Sequence, residues 1–129
     1  MFRSLDFVYA PVDDVDAAAR SFAEGLGAKL EWKVRGMGTV VACLRVSDTG
    51  PPLLLSGHLG GVEPILVYRV DDYRASVDLL RAAGVAELHE LELPHGPCAS
   101  FRAPGGQRLA VYELTRPEAA HKFDGRIDD

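Results

Sequence analysis

The chain has 129 residues, of which 47% are hydrophobic and 26% charged, the make-up of one compact domain that can bury a core without disulfide staples. Its net charge of -5 comes without a basic stripe, which argues against nucleic acid as a partner. No apolar run approaches the roughly 20 residues of a membrane span, and the opening MFRSLD lacks the apolar core of a secretory signal, so the expectation is a cytoplasmic protein without a membrane partner. Cys43 and Cys98 are too few for a disulfide framework and read as two small buried thiols.

In chain order, LDFVYAPV alternates as a strand and runs into Val12-Asp13-Asp14, after which Val15, Ala18, Ala19, Phe22 and Leu26 recur at helical spacing until Gly27. Asp13 or Asp14 can accept from the free amides of the first helical turn. Three strand-like runs follow, AKLEWKV, GTVVACLRV and PPLLLS, separated by Arg35-Gly36-Met37-Gly38 and Ser47-Asp48-Thr49-Gly50. After the flexible link at Gly60-Gly61 the pattern returns. PILVYRV leads into a second Val-Asp-Asp (Val70 to Asp72), a helix with Tyr73, Val77 and Leu80 on one stripe, and Gly84 at its stop. The runs AELHELE, PCASFRA and QRLAVYEL complete the second set. Each half reads as strand, helix, strand, strand, strand, and a unit so small leaves a sheet face bare if it stands alone. The expected organisation is one α+β domain over residues 1–114, built of two βαβββ modules at about 4–58 and 62–114. Residues 115–129 form a polar stretch, interrupted by Pro117, that reads as a short helix or a mobile tail.

The repeated unit, with VDD after its first strand, a helix ending in LG or AAG, and a last hairpin of the form xPxGxRLxxYE, resembles the vicinal oxygen chelate superfamily of glyoxalase I, bleomycin-resistance proteins and extradiol dioxygenases. The resemblance covers about residues 4 to 114. It implies a cup of curved mixed sheet that holds a small molecule, and a homodimer. It also implies a divalent metal held by a His or Gln on the first strand of each module and a Glu on the last. Carried over, those positions fall on Phe7 and Ile65, and on Ala110 and Leu54. None has a lone pair to donate, so the expectation is a chain without metal or other cofactor at those positions.

Period-2 alternation puts Tyr9, Ser56, Val67, Arg69, Arg108 and Tyr112 on the same faces as those four. An apolar surface edged by Tyr hydroxyls and guanidinium groups is the ordinary constitution of a small-molecule site. The expected ligand-binding set is therefore Phe7, Tyr9, Leu54, Ser56, Ile65, Val67, Arg69, Arg108, Ala110 and Tyr112, with no catalytic residue assigned. By resemblance to the metal-free resistance proteins, the expected function is binding or sequestration of an apolar or aromatic organic molecule. The alternative is a metal-dependent lyase, isomerase or dioxygenase of the same fold with displaced ligands drawn from His58, His89, His95 and Glu113. Parity places Glu113 with Leu109 and Val111, toward a solvated or structurally paired role, and His121 reads as a solvated side chain. Arg69 and Arg108, charged groups on a sheet face, must find a carboxylate, a ligand or water.

Overall fold

The computed structural model describes every residue except Met37 and Gly60. The order of elements is β1 (Ser4–Pro11), α1 (Val15–Arg20), β2 (Lys29–Gly36), β3 (Thr39–Arg45), β4 (Leu53–Ser56), β5 (Ile65–Arg69), α2 (Tyr73–Ala82), β6 (Ala86–Leu93), β7 (Gly96–Arg102) and β8 (Arg108–Tyr112). This is the expected α+β architecture of two βαβββ modules. The turn read over residues 35–38 and the link at 60–61 each include one residue outside those described. Two compact units divide the chain. A first unit comprises Phe7–Pro64 with His121–Asp129, and a second comprises Met1–Asp6 with Ile65–Ala120.

In the first unit the strands pair in the order β2-β3-β4-β1, with β1 parallel to β4 and the others antiparallel. Of the two aspartates in Val-Asp-Asp, Asp14 is the cap: its carboxylate accepts from Ala17 N at 3.0 Å. Val15 and Ala19 of α1 pack on Ala28, Ala42, Leu44 and Leu55. The helix is shorter than its apolar spacing suggests, because Ser21–Gly25 widens into a π turn. Beyond that turn Leu26 leaves the stripe and is exposed, and Gly27 at φ 73° ends the segment. The register aligns Trp32 with Cys43, Cys43 with Leu54 and Leu54 with Tyr9. These four alternate with the residues under α1, so they form a row on the sheet face opposite the helix.

The second unit repeats the plan in the order β5-β8-β7-β6, with β5 parallel to β8. Asp72 caps α2 through Ala75 N at 3.0 Å. Tyr73, Val77 and Leu80 bury against Ala99, Phe101 and Val111. The register sets Val67 opposite Ala110, just as Tyr9 stands opposite Leu54. Leu54 and Ala110 are thus equivalent positions of the repeat, and so are Phe7 and Ile65, two residues before Tyr9 and Val67.

The stretch after β8 contains a 3-10 turn at Pro117–His121, and its last residues run beside β2. Lys33 N donates to Arg126 O and Asp128 N to Lys33 O, both at 2.8 Å, around a parallel bridge between Lys33 and Ile127.

Candidate functional site

Of the ten expected binding residues, Leu54, Ser56, Ile65, Val67, Ala110 and Tyr112 are buried, while Phe7, Tyr9, Arg69 and Arg108 are half-buried. In the first unit Tyr9 and Leu54 are brought side by side, with Phe7 and Ser56 on the same face by alternation. In the second unit Val67 stands beside Ala110 and Arg69 beside Tyr112, with Ile65 and Arg108 sharing their face. The buried members are closed to solvent, so in each unit ligand access depends on the half-buried ones. Ser56 is taken up locally: its hydroxyl lies 2.7 Å from His58 Nδ1, which also meets Thr39 Oγ1 at 3.3 Å.

The polar centre of the second unit is a residue that the sequence reading missed, Asp6. One carboxylate oxygen accepts the Tyr112 hydroxyl in a short hydrogen bond and lies 3.9 Å from Arg69 Nε. The other accepts from Ser4 Oγ at 2.5 Å. The His95 ring meets the Tyr112 ring edge-on, centroids 6.1 Å apart. Tyr112 is almost fully enclosed, whereas the side chains of Asp6 and Arg69 are 23% and 43% exposed. The cluster is therefore buried at its phenol and open at its carboxylate and guanidinium. Burial, followed by the hydrogen bond to Asp6, drives the Tyr112 pKa far above its ordinary value. The phenol stays protonated and donates its proton to Asp6. Burial likewise lowers the His95 pKa against the opposing pull of Asp6, which favours the neutral imidazole near pH 7. Such a group is a carboxylate held in place by a hydroxyl, able to take a proton from a ligand, with a cation beside it to hold negative charge. A charged residue inside the alternating LDFVYAPV was the available signal, since Arg69 needed a carboxylate.

The residues to which the resemblance assigns the metal do not fit one: Phe7, Leu54, Ile65 and Ala110 offer no donor atom. Among the described residues, no group of three or more His, Cys, Asp or Glu side chains is placed to hold a metal ion. Of the possible displaced ligands, Glu113 accepts from Tyr73 N at 2.8 Å at the start of α2, and His89 is exposed on β6. The two thiols are held protonated, Cys43 near 11 chiefly by burial and Cys98 near 12 by burial alone. Neither is an activated nucleophile. An open groove of about 320 Å³ beside α1, lined by Asp13, Asp14, Asp16 and Thr39, contains none of the ten residues.

No protein-family model matches the sequence, and no curated protein matches it. Solved structures do resemble the chain. Methylmalonyl-CoA epimerase from Mycobacterium tuberculosis superposes with a TM-score of 0.70 at 23% identity, covering 92% of this chain and 93% of that one. A variant of the Streptomyces coelicolor methylmalonyl-CoA epimerase in complex with 2-nitronate-propionyl-CoA gives 0.68 at 16%, covering 90% and 100%. A methylmalonyl-CoA epimerase in complex with methylmalonyl-CoA and ammonium gives 0.67 at 15%, covering 89% and 96%. The fold is thus that of the glyoxalase and bleomycin-resistance type. The neighbours bind small organic CoA esters, and no helix among the described residues is long and apolar enough to cross a membrane.

Proposed function

We propose that the protein is an enzyme of the vicinal oxygen chelate fold that transfers a proton next to a carbonyl on a small organic acyl compound, a CoA ester being the first candidate. In this reading Asp6 takes the proton from the carbon, the electron pair of that C–H bond moves onto the carbonyl oxygen, and a proton returned to the carbon completes an isomerisation. Tyr112 holds the carboxylate by its hydrogen bond, and Arg69 offers positive charge to the acyl group or its developing oxyanion. The observation that carries the reading is the half-buried carboxylate of Asp6, anchored on a buried, protonated phenol and flanked by a guanidinium. The likeness to several epimerases adds support by analogy of fold.

This replaces sequestration as the main reading, because the epimerase neighbours are enzymes and the Asp6 cluster has the parts of a proton-transfer group. Binding without turnover stands as the second reading, favoured by the apolar side chains at Phe7, Leu54, Ile65 and Ala110. Incubating the purified protein with methylmalonyl-CoA in deuterium oxide distinguishes the two. Deuterium at the α-carbon above the uncatalysed background is the expected result. Tight binding without exchange there, and on related acyl-CoA esters, sinks the enzyme reading. Elemental analysis of the same sample reads the metal content directly.

A further inference from the structure

The row Tyr9, Leu54, Cys43 and Trp32 on the face of the first unit away from α1 ends at β2, the strand at the edge of its sheet. Residues 121–129 sit on that end. The Phe123 ring packs on the Trp32 indole, centroids 5.3 Å apart and planes tilted by 54°. The segment is held by backbone bonds from Gly125 N to Glu31 O at 3.2 Å, Lys33 N to Arg126 O and Asp128 N to Lys33 O. The Asp128 carboxylate accepts from Arg35 N at 2.9 Å and from the guanidinium of Arg126, also at 2.9 Å. Cys43, next to Trp32 in register, is 6% exposed and feels the charge of Asp124 from the same segment. Among the described residues the attachment is short: three backbone bonds, one ring contact, the Asp128 carboxylate on Arg35 N and a hydrogen bond from Arg35 Nε to Asp129 O, with Ile127 54% exposed. Segments so lightly held open well below the free energy of global unfolding.

We propose that residues 121–129 form a removable wall of the ligand face in the first unit, with Phe123 as the residue that sets how large a flat apolar or aromatic group can reach Trp32 and Cys43. Seated, the ring fills the place on the indole that such a group would take. Lifted, it frees the indole face and the thiol behind it. The proposal rests on the second reading, binding at apolar side chains among which Leu54 is one, but the wall can be tested without knowing the ligand.

The test is thiol modification of the full chain by N-ethylmaleimide and by the flat aromatic N-phenylmaleimide, followed peptide by peptide. Cys98, in the second unit, serves as the internal control for global opening. Phe123→Ala is expected to raise the Cys43 rate about tenfold, more for the phenyl reagent than for the ethyl one, with Cys98 unchanged. Asp128→Pro removes the amide that donates to Lys33 O and the carboxylate on Arg35 N, and is expected to raise both Cys43 rates alike. If Asp128→Pro exposes both thiols, it has loosened the whole chain and Phe123→Ala alone decides. An unchanged Cys43 rate in Phe123→Ala, or parallel rises at Cys43 and Cys98, overturns the proposal. Failure of the deuterium exchange leaves these rates untouched, so the two readings fall separately.

Discussion

The two units run the same backbone programme and present different chemistry on it. Each has a Val-Asp-Asp cap, a helix buried on one sheet face, and a parallel pair between its first and last strands. Each helical segment is followed by a glycine in the left-handed region, Gly27 at φ 73° and Gly84 at φ 74°. The face of the first unit away from its helix carries an aromatic and apolar row, Tyr9, Leu54, Cys43 and Trp32. That of the second carries Asp6, Arg69 and Tyr112 over a floor of Ile65, Val67 and Ala110. Backbone features recur because they solve the same problem twice, while the side chains that face away from the helices are free to diverge. Function is to be sought in that difference.

The sharpest asymmetry in tolerance is expected at Gly96. A Cβ there would lie 2.0 Å from Glu113 O and 2.8 Å from Thr115 Oγ1, at a φ of 154°. Gly96→Ala should therefore cost about 3 kcal/mol or more by denaturant titration, since overpacking adds to backbone strain. At Gly27 and Gly84 a Cβ would meet nothing within 4 Å beyond its chain neighbours, so Ala at either should cost only about 1 kcal/mol, the left-handed penalty alone. A larger loss at Gly84 than at Gly27 would break the equivalence of the two units.

Next in size is Tyr112→Phe, which leaves the packing in place and removes the hydroxyl from Asp6. The expected loss is about 1 to 2 kcal/mol, with a fall in exchange activity greater than the fall in stability accounts for. The caps should be matched: Asp14→Ala and Asp72→Ala are each expected to cost about 1 kcal/mol, read from thermal unfolding at matched pH.

The smallest effect sharpens the comparison at the 121–129 segment, which only the first unit has. Hydrogen bonds from Arg35 and then Lys33 hold the Asp16 carboxyl near pKa 2, and those from Arg126 and from Arg35 N do the same for Asp128. Both folded values lie below the ordinary 3.8. Their stabilisation is therefore complete above about pH 4 and is lost as pH falls toward 2. Asp16 ties α1 to Lys33 and Arg35 of β2, whereas Asp128 ties the segment to Arg35 N, so protonation of Asp128 in that window should loosen the segment and shift the emission of Trp32, the sole tryptophan of the sequence. An emission flat across that window would mean that the Asp128 carboxylate does not hold it.

Much of this fold was legible in the sequence, because caps, period-2 runs and glycine stops are local signals. QRLAVYEL gave β8 within one or two residues at each end, and the repeat of VDD gave the two modules. The end of the first helix was not legible: the apolar spacing continues to Leu26, but the π turn at Ser21–Gly25 takes that residue off the stripe. Asp6 was passed over because its partner Tyr112 is 106 residues away, a pairing that no local pattern encodes. The seat of Phe123 on Trp32 is equally non-local, which is why a polar stretch with one proline read only as a helix or a tail. At Glu87 the backbone turns to φ 53° where the β6–β7 register shifts, in a run that alternates like any plain strand.

The proposed role of Asp6 as the base is tested by comparing α-carbon deuterium exchange into methylmalonyl-CoA by the unaltered chain and by Asp6→Asn. The amide keeps the shape and can still accept from Tyr112, but it cannot take up a proton. The expected result is exchange by the unaltered chain and a loss of about a hundredfold or more in the variant, the usual scale for a removed general base. Exchange that survives Asp6→Asn undiminished would contradict the account and move the chemistry elsewhere on the molecule.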